Sequence, residues 1–253
     1  MKTNFYIPDN IFSKIFLSEL SEDEKINPVF LSSSTISKRL FEEEHSIGLM
    51  PTMDLIHRKD FFVSSDVGIS FNALLSNAYL HFRKEERTLD QVFYSGDITS
   101  NEIILSKILF RELYEVEIKQ TVLKDNLPAN DENVIIVGDD NYKSNLFLQG
   151  LSFAEEIIEL IEGPYVNFVL ASKSESLIKD FTKKHLKDFN NGHPESVEEL
   201  FKEFPQISSE FIAINLQHVV FNLESQDIEG IKLLLQMPYF HEMINEMLDL
   251  KLV

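Results

Sequence analysis

The chain reads as an α/β protein with mainly parallel sheets, and three features of the sequence predict it. Strand-like segments of β-branched and aromatic residues alternate with amphipathic segments over the first 170 residues, the signature of strands joined by helical crossovers. Asn133-Val134-Ile135-Ile136-Val137 is an apolar run ending in Gly138-Asp139-Asp140, as expected of a strand covered on both faces. Leu89 to Tyr94 is a strand followed by Gly96, and Thr99 with Glu102 has capping-box spacing. That spacing predicts a helix opening at Thr99 or Ser100 and running to Tyr114. In it Leu105, Leu109 and Leu113 recur every four residues with Ile104 and Ile108 beside them, a stripe suited to packing on a sheet.

The remaining elements follow in order. Asn4 to Ile7 is a short strand, Pro8-Asp9-Asn10 a turn, and Asp9 or Asn10 caps a helix from Ile11 to Leu20. Ser21 to Asn27 is an acidic loop; Val29 to Leu31 is a strand; Ser32 to Thr35 opens a helix from Ile36 to Glu44. Ser46 to Met50 is a strand ending at Pro51-Thr52, with a helical turn from Met53 to Ile56. Phe61 to Val63 and Val67 to Phe71 are extended, and Asn72 to Phe82 passes from strand into loop. Arg83 to Arg87 is a mixed charge run on a solvated surface. Glu117 to Leu123 alternates like a half-buried strand, and 126–131 is a loop. Ser152 to Glu162 is an amphipathic helix that Gly163-Pro164 ends, and Tyr165 to Ala171 is a strand. After that helices dominate: Glu175 to Asn190, one starting at Ser196 beyond a turn at 191–194, Ser208 to Leu223, Asp227 to Gln236 and Tyr239 to Leu250.

Composition narrows the function classes. The 253 residues carry 42 acidic and 23 basic side chains, a formal net charge of −19. A field of that sign opposes nucleic acid and anionic membrane surfaces, so neither is expected as a partner. It also opposes small anions at long range, which leaves local donors such as helix N-termini to hold any anion. There is no cysteine, which removes disulfides, thiolate metal sites and cysteine nucleophiles. The first residues have no apolar core of signal-peptide length and no run of 18 apolar residues occurs, so a cytoplasmic protein is expected. The 21 phenylalanines, with no tryptophan, supply the bulk of the core.

Motif chemistry is sparse. The seven histidines are scattered without HxxxH or HExxH spacing, so no metal is expected. GxGxxG, the P-loop and the GxSxG elbow are all absent, and no cofactor is expected. What remains is a set of strand-end turns rich in Ser, Thr, Asn and Asp, which in open α/β sheets is where ligands bind.

Taken in order, several of these strand ends resemble the menaquinone-biosynthesis family that contains chorismate dehydratase and 1,4-dihydroxy-6-naphthoate synthase. Ser46 to Thr52 resembles the family's strand ending in Pro-Ser; Ser65 to Ser76 its glycine-containing crossing segment; Ile98-Thr99-Ser100 its Thr-Ser helix start. Val134 to Asp139 resembles its Ile-Gly-Asp strand, Glu156 to Val169 its helix followed by Gly-Leu-Pro-Phe-Val, and Ser208 to Gly230 its C-terminal helices. The chain departs from the pattern at Asn10, which lacks the neighbouring aromatic and Pro, at Thr52 and Asn72, which replace serines, and at Asn167, which replaces an apolar aromatic. It has no histidine at the position of the naphthoate synthase base.

The resemblance implies a two-lobed fold of the type II periplasmic-binding-protein kind. One lobe would combine residues 1–90 with 172–253, the other would be 91–171, and a small carboxylate-bearing molecule would lie between them. Thr99 and Ser100 would hold the carboxylate, Thr52, Asn72, Asp139 and Asn167 would line the pocket, and Asn10 would stand near the reacting carbon. Two activities follow: a lyase of the chorismate dehydratase type, or a non-catalytic binder of a small organic acid. A third reading is an interaction protein with a vestigial cleft.

Overall fold

A computed structural model describes residues 2–83, 89–123, 132–190 and 197–253. The chain begins with β1 (Thr3–Pro8), α1 (Ile11–Glu19), β2 (Ile26–Leu31), α2 (Ser33–Glu42) and β3 (Ser46–Pro51). A 3-10 turn, Thr52–His57, leads to the long β4 (Phe62–Phe71). The next elements are β5 (Ala78–His81), β6 (Gln91–Gly96), α3 (Ser100–Leu113), β7 (Lys119–Val122), β8 (Val134–Val137), the single turn α4 (Asp140–Lys143) and β9 (Leu151–Ser152). Then come α5 (Phe153–Ile161), β10 (Tyr165–Ser172), α6 (Glu175–His185), α7 (Val197–Leu200), α8 (Gln206–Asn215), β11 (Val219–Asn222), α9 (Ser225–Phe240) and β12 (Lys251–Leu252).

The strands form two sheets. The first has the order β11-β4-β10-β3-β1-β2, with β12 also on β4; the second has the order β7-β6-β8-β5-β9. Pairing is parallel for β1 with β2 and β3, for β6 with β7 and β8, and for β12 with β4. The strands by which the chain returns run antiparallel: β10 between β3 and β4, β11 beside β4, and β5 beside β8 and β9. Every residue of β3, β8 and β10 is buried, which explains the unbroken apolar run of β8.

The resemblance implies lobe boundaries at 90/91 and 171/172, and the chain passes from one sheet to the other before each of them. β5 precedes residue 91 and belongs to the second sheet, through Ala78, Tyr79 and Leu80 paired with Val137, Ile136 and Ile135. β10 belongs to the first sheet because its eight buried residues fill the space between β3 and β4.

Helix ends set by local chemistry fall where the sequence puts them. The Asn10 side chain accepts from the Ser13 amide and opens α1; Thr99 and Glu102 make a reciprocal capping box and open α3. Within α3, Leu105, Ile108 and Leu109 are buried, while Leu113 is 41% exposed and lies past the end of the packed stripe. The C-terminal region departs from the helical reading. Val219 to Asn222 is a strand, since these β-branched and aromatic residues complete the edge of β4. The last helix starts at Ser225, carries Pro238 in its final turn and stops at Phe240, so 241–250 is not helical. The charge run at 83–87 beyond Arg83, the loop at 126–131, the turn at 191–194 and the helix start at Ser196 lie outside the described residues. Among the described residues no helix is long and apolar enough to cross a membrane.

Candidate functional site at the seam between the sheets

The carboxyl ends of β1, β3 and β4 and the amino end of β10 lie together along one edge of the first sheet, since Phe168 pairs with Pro51 and Tyr165 with Phe71. Asn10, Thr52, Asn72 and Asn167 stand on that edge. Facing it are the carboxyl ends of β6 and β8 from the second sheet, with Asp97 and Asp139. Hydrogen bonds across the seam fix this juxtaposition.

Three helices start at the seam, and each start is met by a carboxylate from the other side. At α1 the Ile11 amide donates to Asp139 Oδ1 at 2.9 Å. At α2 the Ser33 amide donates to Asp97 Oδ2 at 2.9 Å, and the Ser32 and Ser33 hydroxyls donate to the same carboxylate. Ser32 occupies the N-cap position but makes no cap bond of its own; Asp97 supplies the missing acceptor. At α3 the Ser100 hydroxyl donates to Asp54 Oδ1 at 2.6 Å, and Asp54 comes from the turn after β3. Free amides and the positive end of the helix dipole make each of these positions a natural anion seat. Burial pushes the Asp139 carboxyl above its ordinary range despite the Ile11 bond. Asp97 reaches α2 from a turn that only glycine permits: Gly96 has φ +94°, and a Cβ there would sit 1.9 Å from the Val137 carbonyl oxygen.

A buried amide ties the two sides together beside these anion seats. Asn101, in the first turn of α3, is 0% exposed. Its Oδ1 accepts from the Met53 amide at 2.8 Å, and its Nδ2 donates to the backbone oxygen and to Oδ1 of Asn167, both at 2.7 Å.

Apart from Asp139, already described, the residues named from the sequence divide into two groups. In the first, every described hydroxyl is already committed. Thr99 Oγ1 accepts from the Asn101 amide and donates to Glu102 Oε2, Ser100 donates to Asp54, and Thr52 donates to the Val166 carbonyl at 2.6 Å. Glu102 is buried with its carboxyl pushed up by desolvation, yet both its bonds go to Thr99. The second group consists of the three asparagines. Asn10 Nδ2, Asn72 Oδ1 and Asn167 Nδ2 are buried atoms with no hydrogen-bond partner. The amide orientations of Asn10 and Asn167 are fixed, because each Oδ1 already accepts, from Ser13 and from Asn101 and Tyr165 respectively. The edge therefore carries two NH2 groups and one amide oxygen, on Asn72, that the chain itself leaves unsatisfied. Buried polar atoms of this kind are rare in folded proteins.

Asn101, Asp97 and Asp54 carry the seam, and residue type and spacing did not single them out. The only sequence signal for Asp97 is its place directly after Gly96 at a strand end. Among the described residues no three or more His, Asp or Glu side chains gather as a metal site.

No protein-family model matches the sequence, and no curated protein sequence matches it. Solved structures do match over nearly the whole chain. Protein AF1704 from Archaeoglobus fulgidus has 13% identity and a TM-score of 0.71, covering 96% of this chain and 98% of that one. A Candida albicans CA3427 gene product, described as exhibiting the generic periplasmic binding protein fold, has 12% identity and a TM-score of 0.63, with coverages of 97% and 92%. The periplasmic aliphatic sulphonate binding protein of Escherichia coli has 12% identity and a TM-score of 0.59, with coverages of 99% and 96%. The chain has the periplasmic-binding-protein-like fold that its strand ends imply.

Proposed function

We propose that this chain binds a small organic acid between two lobes, one built on each sheet, and performs no chemistry on it. The unsatisfied Asn10 and Asn167 NH2 groups carry this reading, because they need acceptor oxygens in a buried place. A carboxylate or sulfonate supplies such oxygens, and a hydroxyl on the same molecule would suit the Asn72 carbonyl. The fold supports a clamp of this kind, and the neighbour that binds aliphatic sulphonates makes a sulfonate a sensible probe. The cytoplasmic setting expected from the sequence is part of the reading.

One observation favours a lyase of the chorismate dehydratase type instead. Asp139 follows the glycine turn after β8, one hydrogen bond from the residue next to Asn10, and its carboxyl is raised by burial. A carboxylate raised toward neutrality is a better proton acceptor than an asparagine, which has no basic site of useful strength. In that reading Asp139 takes the proton and Asn10 orients the leaving hydroxyl as chorismate loses water to give a carboxyvinyl-oxy benzoate.

Chorismate, shikimate and an aliphatic sulfonate are each added to the purified protein, with thermal shift and aromatic absorbance as readouts. A stabilising shift that Asn10→Ala and Asn167→Ala both abolish, with no aromatic product, is the expected result. Product formation from chorismate overturns the binder in favour of the lyase. No shift from any of the three acids overturns both.

A further inference from the structure

The unpartnered asparagine atoms that the ligand would satisfy are buried. A ligand reaches them only if the seam opens. Beside the Asn101 tie, what holds the seam shut is visible at the three helix starts. Asp97 fills the N-terminus of α2, Asp139 that of α1, and Asp54 takes the Ser100 hydroxyl at the start of α3. Each of these carboxylates crosses from one sheet to elements of the other. The chain carries a net charge of −19, yet it brings three of its acids into one seam.

We infer that Asp97, Asp139 and Asp54 are built-in anions that close the clamp without a ligand, and that ligand entry requires their release from the helix starts. The inference deepens the binding reading and rests on it for placing the ligand at this seam. Two points separate a latch from ordinary capping. First, α2 has a serine at its own N-cap position that makes no cap bond, and it uses a carboxylate 64 residues away in the other sheet. Local capping was available and is replaced by a bond between the sheets. Second, burial disfavours the Asp139 carboxyl in the closed arrangement, so opening relieves it. Asp97 makes bonds from three donors. It is the principal catch, and Asp139 is the weaker one. Because only the open fraction admits a ligand, apparent affinity falls by the fraction that is open.

The titratable and charged groups around the catch are Asp97 at α2 with Glu102 of α3 near it, Asp54 at the start of α3, and Asp139, Asp9, Lys14 and Lys143 around the start of α1, where Lys14 pairs with Asp9 at 2.9 Å. The probe chosen is inorganic sulfate, which needs no knowledge of the natural ligand. Amide hydrogen exchange is followed at Ser33 and Ile11 in the wild-type chain, in Asp97→Ala/Asp139→Ala, in Asp97→Asn and in the exposed control Asp60→Ala. Each is measured in sodium sulfate and in sodium chloride of equal ionic strength. In the wild type and the control both amides are protected, and sulfate changes neither. In the double variant exchange at Ser33 quickens at least about tenfold, and sulfate slows it again with a saturable dependence while chloride does not. Asp97→Asn, which keeps one acceptor and folds most conservatively, shows the same change at smaller size.

Three results overturn the latch: rapid exchange at Ser33 in the wild type, sulfate protection equal in wild type and variants, or wild-type protection in both Asp97 variants. The binding reading fails separately, if none of the three acids shifts the wild type while the double variant behaves as described.

Discussion

Replacing Asn101 is the sharpest test of how the two sheets are joined. Its side chain is wholly buried and makes three bonds, accepting from the Met53 amide and donating to the oxygen and Oδ1 of Asn167. Asn101→Leu keeps the approximate volume and removes all three. The Asn167 Oδ1 keeps its bond from the Tyr165 hydroxyl at 3.0 Å, so two groups are newly orphaned, the Met53 N–H and the Asn167 carbonyl. At about 1–3 kcal/mol for each of the two buried orphans, the loss is about 2–6 kcal/mol. In a chain of this size each kcal/mol is about 2–4 °C, so the melting temperature falls by roughly 4–24 °C. Asn101→Asp sharpens the reasoning further. It keeps the acceptor for Met53 but turns an oxygen toward two oxygens of Asn167. A proton on the new carboxyl restores a donor, so its folded-state pKa is raised above the unfolded value of about 3.9. A raised pKa means that stability is present at low pH and is lost as pH rises through the folded value. Urea denaturation between pH 4.5 and 8 therefore shows a deficit that grows with pH for Asn101→Asp and a constant one for Asn101→Leu. A deficit under 1 kcal/mol for the leucine variant, or a pH-independent one for the aspartate variant, would refute the buried tie.

Two further perturbations follow from the same seam. Gly96→Ala combines a φ of +94° with a Cβ placed 1.9 Å from the Val137 carbonyl oxygen, and a loss of about 3 kcal/mol or more is expected in chemical denaturation; a loss under 1 kcal/mol would show that the turn relaxes freely. Asp139→Asn keeps an acceptor for the Ile11 amide and removes a charge that burial disfavours. The folded carboxyl is raised, so its contribution is full at low pH and is lost as pH rises through the folded value. The variant should match the wild type near pH 4 and exceed it by several tenths of a kcal/mol at pH 7, where a destabilised variant would contradict the argument.

Local chemistry made half of this molecule legible in its sequence. Asn10 and Thr99 cap the helices that their spacing marks, because a cap bond spans only three residues. β8 is legible because a strand covered on both faces has no reason to alternate. Asn10, Asn72 and Asn167 were named through the resemblance to a family's strand ends, and each carries an unpartnered buried atom, as Ser13 and Asn141 also do. The rest depends on distant partners. Asp97 reads as one more turn residue until α2 arrives from 64 positions earlier. Asn101 sits inside a helix, where an asparagine carries no positional signal, and its three bonds lead to residues 48 and 66 positions away. Val219 to Asn222 follows an amphipathic helix closely and reads as its continuation; only the open edge of β4 makes it a strand.

The two kinds of polar group at the seam give opposite instructions about an acid ligand, and salt separates them. The asparagine amides attract its oxygens over hydrogen-bond distance only. Asp54, Asp97 and Asp139, with the net charge of −19 behind them, repel it over longer distances. Screening acts on the second effect and hardly on the first, since the screening length shrinks from roughly 30 Å at 0.01 M salt to about 8 Å at 0.15 M. An acid bound by the asparagines therefore binds more tightly as chloride rises across that range, with the change mainly in the association rate. An acid bound instead by an excess of basic side chains would bind less tightly. Titrating the acid that gives the largest thermal shift at both salt concentrations decides the matter. Affinity that falls with salt would place the ligand away from this seam, among the lysines of the outer surface.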